Sequence, residues 1–350
     1  MTALSFTHTA SDLEAPNDQL TFSLEGDVPA GLTLDPATGL MNWTPTEAQG
    51  PSTNTFTVRV TDDGVPGLFA SRSFTIVVNE VNRPPVLTVP GLQVVNELAT
   101  LNISATGSDP DLPPNPLTFS LLSPPAGMTI NPATGAITWT PTEAQGPGDY
   151  TITVVVSDAN PPAINAKQLS VTNAFSVSVR EVNTPPSLAA IPNRTINPGQ
   201  TVSFAVSATD ADLPANTLTF SLVTAPAGAT INAGGLFTWR PPVACAGTSN
   251  YIQVRVADNG SPQGSDTKGF AILVNPLAPV ALRPLGLAEG QFVLEVTSGT
   301  VGPDYVLQGS TDLVNWVNLR TNTPGALPFN LTDPAAGTVP QRFYRVRLEP

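Results

Sequence analysis

The chain has 350 residues, of which 27 are acidic and only 14 basic, and its net charge is −13. With the basic residues scattered, this excludes the footprint of a nucleic-acid or anionic-membrane binder and favours a cationic partner. A single cysteine, Cys245, excludes an intrachain disulfide.

The 38 prolines and 27 glycines separate runs of Val, Thr, Ile and Phe. That texture predicts an all-β chain of short strands and tight turns. The opening MTALSFTHTA has no basic n-region and no apolar h-region. Every apolar run is cut well short of the ~20 residues of a membrane span, so no membrane insertion is expected. ALSFTHTASD aligns with TLNISATGSD from Thr100 and TVSFAVSATD from Thr201, but the stretches before those two, Arg83 to Ala99 and Thr184 to Gln200, have no counterpart before Ala3. One edge strand is therefore expected to be missing there; the plainer reading is that the sequence begins inside the module, and the alternative is a groove completed by a neighbouring molecule's strand in strand-exchange self-assembly. His8, in register with Ala105 and Val206 beside that gap, reads as a partly exposed rim residue rather than a catalytic base.

LTFSL recurs at Leu20, Leu117 and Leu218, and Trp43, Trp139 and Trp239 keep nearly the same period of about 100 residues, the size of an immunoglobulin-like sandwich. In FTVRVTD, Phe56, Val58 and Val60 share one face and Thr57 and Arg59 the other. DPATG at Asp35 and NPATG at Asn131 are turn phrases, with Gly free to take positive φ. The repeated Trp is expected in the sandwich core; its alternative is a stacking platform for sugars. Three modules follow, at residues 1–82 (lacking its first strand), 83–183 and 184–277. A small C-terminal β domain occupies 278–350, and its STDLVNW and RFYRV resemble a domain that closes many long secreted bacterial proteins.

WTPTEAQGP occurs identically at Trp43 and Trp139, so Glu47 and Glu143 stand at one station, whereas WRPPVACAG from Trp239 carries Val243 there. Other acids also recur: Asp109 and Asp111 in SDPDLP, Asp210 and Asp212 in TDADLP, and Asp158 and Asp258 at strand ends. Glu80 with Asn82, and Glu181 with Asn183, stand in NEVNRPP and REVNTPP. Ser11-Asp12-Leu13-Glu14 and Asp62 hold matching stations in the first module. With these phrases the chain resembles the cadherin-like tandem repeats of bacterial surface proteins, including those named "putative Ig" and the dystroglycan-type cadherin-like kind.

The resemblance implies tandem immunoglobulin/cadherin-like β-sandwiches in a linear array, with calcium chelated between consecutive modules. Carried over residue by residue, one site gathers Glu47, Glu80, Asn82, Asp109, Asp111 and Asp158. The second gathers Glu97, Glu143, Glu181, Asn183, Asp210, Asp212 and Asp258. Carboxylates crowded without a cation repel, and calcium accepts six to eight hard oxygens in tolerant geometry, whereas zinc would ask for His or Cys. The third module has Pro198, Val243, Pro276 and Ala278 where the second has Glu97, Glu143, Glu181 and Asn183. Its lower end is thus expected to hold no ion.

No His–nucleophile pair, phosphate-cradling loop or HExxH is present, which argues against an enzyme. The implied function is a non-enzymatic, calcium-stiffened extracellular rod or adhesin array, secreted or at the cell surface, with a glycan or a cell-surface protein as partner. A carbohydrate-binding β-sandwich is the alternative. Cys245 reads as an inert core or loop thiol.

Overall fold

The computed structural model describes residues 2–13 and 19–349; Glu14 lies outside them. The described residues are strands joined by turns and four one-turn 3-10 helices. They form two compact units, Met1–Glu181 and Val182–Pro350.

The complete sandwich of the first unit shows how the sequence pattern becomes layers. In Gly148–Ser157, alternate residues Ile152, Val154 and Val156 are buried while Thr151 and Thr153 face outward or half outward. A period of two does this on a pleated strand, and each buried branched side chain contributes about 1.5–3 kcal/mol relative to exposure. This strand pairs with Thr118–Leu122 and with Ser170–Arg180, and Ser170–Arg180 pairs in parallel with Gln93–Asn96 on its far side. The opposing sheet runs Thr129–Ile130, Ala136–Trp139, Leu101–Ser104. Trp139, with none of its surface exposed, fills the space between the sheets, edge-on to Tyr150.

The first module of this unit repeats the arrangement with less. Thr21–Glu25, Ser52–Thr61 and Phe69–Val78 form a three-stranded sheet opposite Leu4–Thr7, Leu40–Trp43 and Thr33–Leu34. Among the described residues nothing occupies the place that Gln93–Asn96 takes in the next module. A groove of about 340 Å³, lined by Trp43, Glu47, Ile76, Val78 and Glu80, lies there instead. The turn phrase behaves as its residue types require: Asp35 Oδ1 accepts the N–H groups of Ala37 and Thr38 at 2.9 and 2.8 Å. Gly39 then takes φ +69°, where a Cβ would lie 2.5 Å from the His8 carbonyl oxygen.

His8 itself departs from the rim position its sequence suggested. It is buried, its ring edge-on to Phe6 and Phe74 at 4.9 and 4.6 Å. The register with Ala105 and Val206 was inward, and the two phenylalanines cover the flank that the absent strand leaves open. Burial holds its pKa below the ordinary value of 6.5.

In the second unit the third module keeps the four-stranded sheet Arg194–Ile196, Ser265–Val274, Ser249–Ala257, Thr219–Thr224, again with a parallel first pair. Trp239 is fully buried in it. The C-terminal domain pairs two three-stranded sheets, Ala281–Ala288, Gln291–Ser298, Phe329–Asp333 and Val317–Asn322, Asp304–Ser310, Phe343–Glu349. Its core is Leu294, Val296, Tyr305, Leu307 and Leu331.

Candidate metal centres

The rigid phrase WTPTEAQGP has a structural job before a chemical one. Trp43 Nε1 donates to the Ala30 carbonyl at 3.1 Å, and Gln49 Nε2 donates to the same oxygen at 3.0 Å. Gln49 Oε1 in turn accepts the Thr46 N–H at 2.8 Å, capping the turn Glu47–Gln49. The buried indole and the glutamine thus fix a one-turn helix whose first side chain is Glu47. Trp139, Gln145 and the Ala126 carbonyl repeat the device beneath Glu143, at 3.2 and 3.1 Å. The third module has Cys245 in place of the glutamine as well as Val243 in place of the glutamate. Cys245 is free and half-buried against the core there.

Around Glu47 the first joint is assembled from three further segments. The linker brings Glu80 and Asn82, both buried. It is held by Asn165, whose Oδ1 accepts the Asn82 N–H and whose Nδ2 donates to the Asn82 carbonyl, both at 2.9 Å. Ile164 N–H donates to the Glu80 carbonyl at 3.0 Å. SDPDLP contributes Asp109 and Asp111, locked in an Asx turn by the Asp111 N–H donating to Asp109 Oδ1 at 3.0 Å. Asp158 closes the set; its Oδ1 accepts the Leu169 N–H at 2.7 Å and Asn82 Nδ2 at 2.9 Å.

The result is a crowd of buried acids that the polypeptide satisfies only in part. Asp111 and Asp158 each expose 1% of their surface. Asn115 donates to Asp111 Oδ2 at 2.8 Å, and Asn160 donates to Glu80 Oε1 and Asp111 Oδ2 at 3.2 Å each. Yet Asp109 Oδ2, Asp111 Oδ1 and Asp158 Oδ2 are buried without a donor. Among the described residues, no Lys or Arg forms an ion pair with any of these acids. Carboxylate oxygens of Glu47, Glu80 and Asp111 all lie within 4.8 Å of one another. Calcium binds oxygens at about 2.3–2.6 Å, so two ligands on opposite sides of it stand about 5 Å apart, and the spacing fits one ion. The donor set is all oxygen, which suits a hard cation and offers zinc nothing.

The second predicted set divides between the two units. In the first, Glu97, Glu143 and Glu181 present oxygens within 4.8 Å of one another. Glu97 is buried so closely against Gly146 that a Cβ there would lie 2.2 Å from its Oε2. In the second, Asp210 Oδ1 accepts the Asp212 N–H at 3.0 Å, and Asp212 accepts the Thr184 N–H and Asn216 Nδ2. Asp258 accepts Asn183 Nδ2 at 3.1 Å and the N–H groups of Gly260 and Gly264. Burial pushes the Asp258 carboxyl up, but the bonds from Gly264, Asn183 and Gly260 together outweigh it and hold its pKa below 3.8. In the first module, Asp62 Oδ1 accepts the N–H groups of Gly64 and Leu68 at 3.1 and 2.9 Å, a turn bond like those of Asp258.

Sequence reasoning missed the asparagines. Asn115 and Asn216 both stand two residues before LTFSL, a repeat as regular as that of the acids, but Asn close to Pro reads first as a turn former. With Asn160 they supply the amides that occupy carboxylate oxygens here. A half-turn of each amide would present an oxygen instead. The three tryptophans offered as sugar platforms are 0–2% exposed, so none can stack on a ligand.

A profile of the family described as "Putative Ig domain" matches residues 1–79, 84–180 and 185–275. Among curated proteins, the chain is similar to mouse Protocadherin Fat 4, 29% identical over 59% of the chain and 4% of that protein. It is also similar to human Protocadherin Fat 1, 27% identical over 83% of the chain and 7% of that protein. Solved structures that resemble it include mouse cadherin-23 EC22-24, at 21% identity and TM-score 0.44, covering 76% of this chain and 89% of that one. Drosophila N-cadherin EC1-4 matches at 16% identity and TM-score 0.40 over 77% and 69%.

Proposed function

The chain belongs to the "Putative Ig domain" family, a tandem array of cadherin-like sandwiches, and we propose that it binds calcium at its first joint and works as a non-enzymatic extracellular spacer or adhesion module. One observation carries this reading: Asp109, Asp111 and Asp158 each bury a carboxylate oxygen without a donor, beside Glu47 and Glu80. Burying unpaired charge costs several kcal/mol unless a cation compensates it. Glu47, Glu80, Asp109, Asp111 and Asp158 would hold the ion, with Asn82 contributing an amide oxygen. The second set, Glu97, Glu143 and Glu181 with Asn183, Asp210, Asp212 and Asp258, repeats the same residue types.

Extracellular modules bind calcium with Kd of about 10⁻⁴–10⁻³ M, so tenfold excess adds roughly 1.4 kcal/mol per site. That energy stiffens a joint more than it folds a domain. Secretion or surface display accords with this affinity range, and a glycan or a cell-surface protein remains the proposed partner. The carbohydrate-binding alternative loses the aromatic platforms it needed, since Trp43, Trp139 and Trp239 are core residues. Among the described residues no helix is long and apolar enough to cross a membrane. The test is thermal melting of the chain in calcium and in chelator, with small-angle scattering in both. A higher Tm and narrower scattering envelope in calcium are expected; identical melts and identical scattering would refute the metal.

A further inference from the structure

The lower end of the third module shows what replaces an ion. There Pro198, Val243 and Pro276 stand for the three glutamates of the second module. The backbone nevertheless keeps its form: Gly199 N–H donates to the Pro241 carbonyl at 2.7 Å, as Leu98 N–H does to Pro141 at 2.8 Å. On this unchanged frame, Arg240 takes the place of Thr140. Its Nε donates to the Gly199 carbonyl at 2.5 Å and its Nη2 to Asp304 Oδ1 of the C-terminal domain at 3.0 Å. A guanidinium thus joins an oxygen of the module to a carboxylate of the domain that follows.

Two other contacts surround it. Asn197, fixed by Asn275 Nδ2 at 2.8 Å, donates to the Val301 carbonyl at 3.0 Å. Ala278 N–H donates to Thr300 Oγ1 at 2.7 Å, and Thr300 is itself tied to the Tyr305 hydroxyl. The two backbones also touch. A Cβ on Gly199 would lie 2.6 Å from the Gly302 carbonyl oxygen and 2.7 Å from Pro303 Cα. The equivalent Leu98 holds the same left-handed conformation, φ +59° against +72°, and carries a full side chain, 62% exposed. Glycine at 199 is therefore demanded by the approach of the C-terminal domain and not by φ alone.

We propose that this third joint is a cation-independent lock, in which Arg240 supplies from within the chain a positive charge that faces the Asp304 carboxylate of the next domain. One guanidinium facing one carboxylate is neutral, whereas the first joint gathers five carboxylates that, among the described residues, form no ion pair. Chelation should therefore free the first joint and leave the C-terminal domain held to the third module. The proposal goes beyond the calcium reading and stands or falls apart from it.

The test uses the whole chain with Cys245→Ser and pairs of nitroxide labels on exposed positions. Ser203→Cys with Val314→Cys spans the third joint, and Thr55→Cys with Asn102→Cys spans the first. Pulsed electron resonance gives each distance distribution in calcium and in EDTA. A distribution across the third joint that is narrow and equal in both buffers is expected, broadening about twofold in Arg240→Ala and in Gly199→Leu. Leu at 98 shows that the backbone there tolerates the side chain, so broadening in Gly199→Leu reports the wedge against Gly302. A broad distribution in the unsubstituted chain, or one that broadens in EDTA, overturns the lock, as does an unchanged width in both variants. If the first-joint pair ignores EDTA while the third behaves as expected, the calcium reading fails and the lock stands.

Discussion

The lower ends of the first and third modules share a fold and a tryptophan but finish it with opposite electrostatics. At the first, Glu47 and Glu80 meet Asp111 of the next module, and three buried aspartate oxygens lack donors. At the third, Arg240 reaches Gly199 and Asp304 and the acids are gone. A sandwich end is therefore a common scaffold on which a few side chains set the charge of the joint. On the reading proposed above, the first joint answers to calcium while the third holds without it.

The largest effect that sharpens this contrast comes from the tryptophans. Trp43→Ala and Trp239→Ala should each cost about 3–5 kcal/mol by emptying a core. Only Trp43→Ala also slackens the turn that carries Glu47, because Trp43 and Gln49 share the Ala30 carbonyl. Urea melts should show both losses, while calcium titration should weaken for Trp43→Ala alone. Equal calcium affinity in the two variants would separate the turn from the metal.

Next comes Asp111→Asn, whose effect should change sign with the buffer. In tenfold excess calcium it should remove roughly 1.4 kcal/mol, the stabilisation one bound ion provides. In chelator the same change relieves repulsion at a residue 1% exposed and should leave Tm equal or higher. A loss of Tm in both buffers would mean that Asp111 serves the fold only through the bonds it accepts from the Arg83 backbone N–H, Asn115 and Asn160.

Much of this was legible in the sequence because repeats carry their own controls. The period of the tryptophans and the alternation in FTVRVTD gave the sandwiches, and the loss of three acids together at the third module marked its lower end as different. What replaced them was not legible. Arg240 looks like an isolated base in WRPP, and its partners Gly199 and Asp304 lie far away in sequence. Gln49 is hidden because its partner Thr46 N–H is a turn amide that no sequence pattern marks, and Asn115 and Asn160 because asparagine near proline signals a turn. His8 was placed correctly in register but wrongly in exposure, since Phe6 and Phe74 supply the cover that the strand pattern lacks.

A smaller effect is expected of Arg240→Ala on stability, as distinct from joint geometry. The Arg240 and Asp304 side chains are 37% and 21% exposed, so solvent screens the pair and about 0.2–1 kcal/mol is at stake. Raising sodium chloride to about 1 M, where the screening length falls to about 3 Å, should erase most of the difference between this variant and the unsubstituted chain. Denaturant melts at low and high salt measure it. A salt-independent loss would assign the contribution of Arg240 to its packing and its bond to the Gly199 carbonyl.

The smallest expected effect uses pH to tell the two units apart without touching either joint. His8, the chain's one histidine, lies in the first unit. Its Nε2 is buried without a partner, so desolvation disfavours the imidazolium. With the folded pKa below 6.5, the unfolded chain takes up its proton first as pH falls. The contribution of His8 to stability is therefore fully present above about pH 6.5 and declines as pH drops from there toward the folded value. The second unit has no group of this kind. Its Asp258, with pKa lowered from 3.8, keeps its contribution until pH falls through the range below that value. Melts between pH 7 and 5 in chelator should weaken the first unit and spare the second, and His8→Phe should flatten the slope. An unchanged slope in that variant would show that His8 does not set the acid sensitivity of the first unit.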